Sequence, residues 1–79
     1  MTYVATFYTH YGAMKFFRDC ERQGITAKPM PVPRTLSASC GTCVRFEAEY
    51  PAIQSGGYDI EGCYFVQKNG TYSAINLND

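Results

Sequence analysis

Tyr3-Val4-Ala5-Thr6-Phe7-Tyr8, followed by Thr9-His10 and then by Tyr11 to Gln23, decides the fold. The first six residues are β-formers with apolar groups on both alternating faces, the pattern of a strand covered from two sides and so central in its sheet. Thr9-His10 breaks it. Ala13, Met14, Phe17 and Cys20 then recur at helical spacing, while Lys15, Arg18, Asp19, Glu21 and Arg22 fill the polar remainder. That spacing predicts an amphipathic helix of about three turns. Thr9 carries the hydroxyl of an N-cap and Gly24 supplies the stop.

Working outward, Ile25 to Val32 reads as a second strand with Ile25, Ala27 and Met30 inward. Pro29, Pro31 and Pro33 cannot donate to a ladder, so this strand should lie at a sheet edge or peel away early. Cys43 to Glu49 alternates Cys43, Arg45, Glu47 and Glu49 against Val44, Phe46 and Ala48, a half-buried third strand. Tyr50 to Asp59 is less determinate. Pro51 suits the first turn of a short helix that Ser55-Gly56-Gly57 ends after one or two turns. Ile60 to Gln67 is a fourth strand. Asn69-Gly70 between β-rich flanks is a hairpin signal, because both residues tolerate positive φ, and Tyr72 to Leu77 returns as a fifth strand. The order β-α-β-β-(short α)-β-β predicts one α+β domain over residues 1–79, a ferredoxin-like antiparallel sheet with its helices on one face and a terminal hairpin.

Composition narrows the function. Seven Lys and Arg balance seven Asp and Glu in 79 residues, and the signs alternate rather than forming blocks. No basic cluster is present to displace counterions from phosphates, which argues against nucleic acid. The longest apolar runs fall far short of the ~20 residues that span a bilayer. Met1 leads directly into strand-like residues without a basic start or an apolar leader, so the reading is cytoplasmic. Seven Tyr and five Phe point to a core built from aromatic rings, with some left partly exposed for partners.

The chemistry concentrates in Pro31-Val32-Pro33-Arg34-Thr35-Leu36-Ser37-Ala38-Ser39-Cys40-Gly41-Thr42-Cys43. Stiff prolines lead into a hydroxyl-rich loop that presents a thiol, and loops on a rigid scaffold are where reactive groups sit. A thiolate is the working nucleophile and is supported by a nearby cation or backbone N–H groups. Cys40 is the candidate nucleophile, Cys43 a candidate resolving thiol, and Arg34 a candidate anion-binding group. Ser37 and Ser39 are placed to tighten the loop, and Gly41 removes a side chain that would obstruct an incoming group. The plain alternative is a reduced surface cysteine beside a half-buried one.

Other readings of the thiols stay open. Cys-x-x-Cys is also a redox signature, but the second half of a thioredoxin-type motif enters a helix, whereas Val44-Arg45-Phe46 continues as strand. Four thiolates from Cys20, Cys40, Cys43 and Cys63 could close a tetrahedral metal site. Against this, Cys20 lies on the apolar helix face and Cys63 in an apolar strand, where cysteine acts as a small hydrophobe. No metal or other cofactor is expected. His10, the only histidine, reads as a solvent-exposed turn residue, and Tyr8, Tyr11 and Tyr64 as packing residues or the lining of a shallow groove. A protein-interaction module indifferent to its thiols is the remaining alternative.

The segment Pro31-Val32-Pro33-Arg34-x-x-Ser37-x-Ser39-Cys40-Gly41 resembles the selenium/sulfur carrier-like family of small bacterial proteins. Thr6-Phe7-x-Thr9-x-x-x-Ala13 and Ile60-Glu61-Gly62-x-Tyr64 resemble its flanking segments. The resemblance implies that Cys40 carries a persulfide or selenide-derived atom between a donor, such as a cysteine desulfurase, and an acceptor protein, with Arg34 carried over beside it. It implies a carrier rather than a stand-alone enzyme. Two departures stand out: Cys43 occupies a position associated with an apolar residue, and Tyr50 to Asp59 is shorter than the family's second helix.

Overall fold

The structure, a computed structural model, describes residues 1–49 and 57–75. Its elements are β1 (Thr2–Phe7), α1 (His10–Arg22), β2 (Ala27–Pro31), β3 (Thr42–Glu47), β4 (Ile60–Val66) and β5 (Tyr72–Ile75). The strands form one sheet in the order β2-β3-β1-β4-β5, and every neighbouring pair is antiparallel. β1 takes the central place that its two apolar faces require. The short helix expected within residues 50–59 falls almost wholly outside the described residues; residues 57–59 form a turn into β4.

One face of the sheet carries α1, which packs across β2, β3 and β1. Tyr3, Ala5, Phe7, Val44, Phe46, Ile60 and Cys63 meet Ala13, Phe16 and Cys20 of the helix in a single core. Phe16, absent from the helical stripe read in the sequence, is its centre. Its ring lies 5.6 Å from Phe7, 5.2 Å edge-on from Phe46 and 5.5 Å edge-on from Tyr58. Such ring pairs are worth ~0.5–1.5 kcal/mol each beyond area burial. Ala13, Phe16, Phe17 and Cys20 follow the i, i+3, i+4, i+7 pattern, with Met14 and Phe17 at the margin of the core.

Both helix ends are closed by the expected residues. The Thr9 hydroxyl accepts the Gly12 N–H at 3.0 Å. At the other end Ile25 N–H donates to the Cys20 carbonyl and Gly24 N–H to that of Glu21, with Gly24 at φ 75°, which is a Schellman closure. Gly12 is demanded by packing: a Cβ there would lie 2.0 Å from the Tyr58 carbonyl oxygen. The turn before β4 is thereby pressed onto the first turn of α1.

β2 lies at the edge, as its prolines require. Its ladder to β3 is anchored at one end by Glu47 N–H to the Thr26 carbonyl and at the other by Val32 N–H to the Gly41 carbonyl. Even-numbered residues of β2 therefore face β3. Pro29 and Pro31 turn their missing donors to the open side, where a proline edge also resists pairing with another chain, and Pro33 lies beyond the strand. Met30 departs from the sequence reading. It pairs with Cys43 on the face away from α1, because Ala27 and Met30 are an odd number of residues apart and cannot share a face of a regular strand.

Candidate functional site

Residues 32–41 leave β2, cross the end of the sheet and return as β3. Leu36 N–H donates to the Pro33 carbonyl at 3.0 Å, which makes a turn with Arg34 and Thr35 at its corners. Arg34 is exposed at that tip, and Ser37 is exposed beyond it. The chain then reaches across the sheet. Ser39 N–H donates to Glu61 Oε1 on β4 at 2.8 Å, and Cys40 N–H to the Phe7 carbonyl at the end of β1 at 3.2 Å. With Val32 N–H, just past β2, on the Gly41 carbonyl, residues 39–41 are tied to β4, to β1 and to the residue that follows β2.

Cys40 is partly exposed, and its sulfur accepts the backbone N–H of Thr42 at 3.4 Å. The Thr42 hydroxyl lies 3.4 Å from His10 Nδ1. His10 is exposed, but it is the first residue of α1 rather than part of a turn, and it joins the helix N-terminus to the cysteine loop. Sequence reasoning missed this link because His10 and Thr42 meet only through the sheet register.

The other three thiols are differently placed. Cys43 has no exposed surface, and its Sγ donates to the Pro31 carbonyl at 3.6 Å. The sequence alternation had grouped it with exposed Arg45 and Glu47. It does share their face, but there it stands opposite Thr6, which is also fully buried. Burial raises its pKa, with a smaller contribution from the neighbouring Cys40 thiol. Cys20 and Cys63 sit in the helix-side core, where burial pushes each up to about 11, the Asp19 charge adding to the effect at Cys20. All four cysteines are unpaired. Cys20 and Cys63 lie on one side of the sheet and Cys43 on the other, and no group of three or more His, Cys, Asp or Glu among the described residues is gathered to hold a metal ion.

Gly41 is exposed, and a Cβ built on it would meet nothing within 4 Å. Its smallness is therefore unneeded by the protein's own packing. Tyr8, just after β1, and Tyr11, in the first turn of α1, stand 57% and 72% exposed. Tyr64 behaves otherwise: it is partly buried and lies over Gly62, where an added Cβ would be 3.1 Å from the Tyr64 hydroxyl.

The architecture is thus an antiparallel α+β sheet with one thiol presented on a tethered loop at its end and three enclosed within it. Residues 2–64 match the family model described as "Putative Se/S carrier protein-like", and the chain belongs to that family. No curated protein and no solved structure matches it. Among the described residues no helix is long and apolar enough to cross a membrane.

Proposed function

We propose that the protein carries sulfur or selenium as a chalcogen atom bound to Cys40. The observation that bears most weight is the contrast in access: Cys40 alone among the four cysteines is not buried, and it sits on a loop tied to the end of the sheet. In the loading step the Cys40 thiolate attacks the outer sulfur of a donor persulfide. A new S–S bond forms at Cys40, the donor's S–S bond breaks, and the donor cysteine leaves as thiolate with the bonding pair. Transfer to an acceptor thiolate reverses these roles, and selenium follows the same course through a selenosulfide. No external oxidant or reductant is consumed.

Arg34, Ser37, Ser39 and Gly41 frame the approach in this reading, with Arg34 offering a permanent cation to an anionic donor or acceptor surface. Cys43 is the less suited partner. To resolve a persulfide it would have to leave its enclosed position opposite Thr6, so the single-thiol carrier is favoured over a dithiol cycle. Donor and acceptor are proteins, the donor a cysteine desulfurase or an enzyme of that type. The chain is read as a single cytoplasmic domain, consistent with four unpaired thiols in a reducing compartment. The β2-β3-β1-β4 order supports a ferredoxin-like sheet extended by β5.

The test is to incubate the protein with a cysteine desulfurase and cysteine, remove the enzyme, and measure protein-bound sulfane sulfur. Near-stoichiometric loading is expected in the wild type and in Cys43→Ser, with none in Cys40→Ser. Loading that survives Cys40→Ser contradicts the reading.

A further inference from the structure

The register between β1 and β4 slips by one residue. Thr6 stands opposite Gly62, but the next residue, Phe7, stands opposite Ile60, so Glu61 has no partner on β1. It is the extra residue of a β-bulge. The sequence shows why one is needed: Ile60 and Cys63 both face the helix-side core although they are three residues apart, which a regular two-residue alternation forbids. A bulge absorbs the odd residue and re-aims its side chain, and bulges recur next to active sites for that reason. Here the carboxylate is aimed at the cysteine loop. Its Oε1 accepts the N–H of Ser39, immediately before Cys40, at 2.8 Å.

We propose that Glu61 is a positioning residue for the Cys40 thiol, turned by the bulge in β4 to hold the backbone of the cysteine loop. Two independent features converge on it, the register slip and the hydrogen bond. The tie joins two stretches far apart in sequence, Ser39-Cys40-Gly41 and Ile60-Glu61-Gly62. With Cys40 N–H on the Phe7 carbonyl, it fixes two successive amides at the nucleophile from two different strands. Hydrogen bonds to a charged acceptor are the stronger kind, and losing one frees the amide. Glu61 touches no reacting atom; it acts through the loop.

The proposal rests on Cys40 being the working thiol, but its test does not depend on sulfur transfer. Amide hydrogen exchange at Ser39 and the rate of Cys40 alkylation by iodoacetamide are measured in wild type, Glu61→Ala, Glu61→Gln and Glu61→Asp, with circular dichroism to establish folding. Ser39 exchange should rise at least about tenfold in Glu61→Ala, the factor that loss of such a bond brings. Cys40 alkylation should change at least threefold alongside it. Glu61→Gln, which keeps an acceptor oxygen at the same reach, should restore most of both, while Glu61→Asp, charged but one methylene shorter, should not. Unchanged Ser39 exchange in folded Glu61→Ala overturns the proposal, as does freed Ser39 with unaltered Cys40 reactivity. If Glu61→Ala does not fold, Glu61→Asp decides by the same two readouts. Should wild type fail to load sulfur while these readouts respond as expected, the carrier reading falls and the positioning role stands.

Discussion

Cys20 and Cys63 lie in the core between the helix and the sheet, whereas Cys40 lies on a loop hydrogen-bonded to the sheet's end. The same side chain occupies both regions and does opposite things. In the core the thiol is a small apolar filler: burial holds the proton on and pushes the pKa of Cys20 and Cys63 up to about 11. On the loop the sulfur reaches solvent and accepts a backbone N–H. The difference comes from the backbone. The facing surfaces of helix and sheet enclose Cys20 and Cys63, and residues 32–41 leave the ladder while remaining tied to it.

The largest expected effect is therefore kinetic discrimination among the thiols. Under native conditions at pH 8, iodoacetamide should modify Cys40 at least about a hundredfold faster than Cys20, Cys43 or Cys63, since enclosed thiols react only through opening of the structure. Peptide mapping by mass spectrometry measures the ratio. Comparable rates at Cys40 and Cys63 would erase the contrast between the two regions.

The contrast also breaks if the core is opened on purpose. Phe16→Ala removes the ring that touches Phe7, Phe46 and Tyr58, and should cost about 3–5 kcal/mol, the range for deleting a buried aromatic. Chemical denaturation measures the loss, and Cys20 and Cys63 alkylation should accelerate with it. Should Phe16→Ala leave the denaturation midpoint in place, the aromatic core is not the enclosure described.

A smaller effect appears at alkaline pH. A thiol whose folded pKa is raised binds its proton more tightly in the folded state, so its contribution is intact below the unfolded value of about 8.5 and is lost as pH climbs toward 11. Tyr58, raised mainly by its hydrogen bond to Asp19, adds the same sign. The melting temperature should fall between pH 9 and 11, and less steeply in Cys20→Ala/Cys63→Ala. An equally steep fall in that variant would remove the core thiols from the account.

The smallest effect concerns Gly41. Open space around its missing Cβ predicts that Gly41→Ala changes stability by no more than about 0.5 kcal/mol, as for surface positions without special features. Sulfur loading from a desulfurase should nonetheless slow, because in the proposed carrier Gly41 keeps the approach to Cys40 open. A large loss of stability would mean that the glycine serves the fold instead.

Much of this was legible in the residues. The central strand, the capped helix and the proline-rich edge strand each followed from a local rule, and the partial exposure of Cys40 followed from its place in a hydroxyl-rich loop between stiff flanks. What escaped was set by register. Phe16 could not be separated from Phe17 as the core residue, because adjacent helix positions both border the apolar stripe. Cys43 alternates with polar neighbours, yet its place opposite Thr6 buries it. Glu61 and His10 meet the cysteine segment only because strands and a helix are brought together across the sheet, a relation that spacing along the chain does not carry. The odd interval between Ile60 and Cys63 was the available signal for the bulge.

The most direct measurement is a site map of sulfane sulfur on the wild-type protein after desulfurase treatment, made by peptide mass spectrometry across all four cysteines. The account predicts one added sulfur atom, on Cys40 alone. Sulfur found on Cys43, or on none of the four, would contradict it.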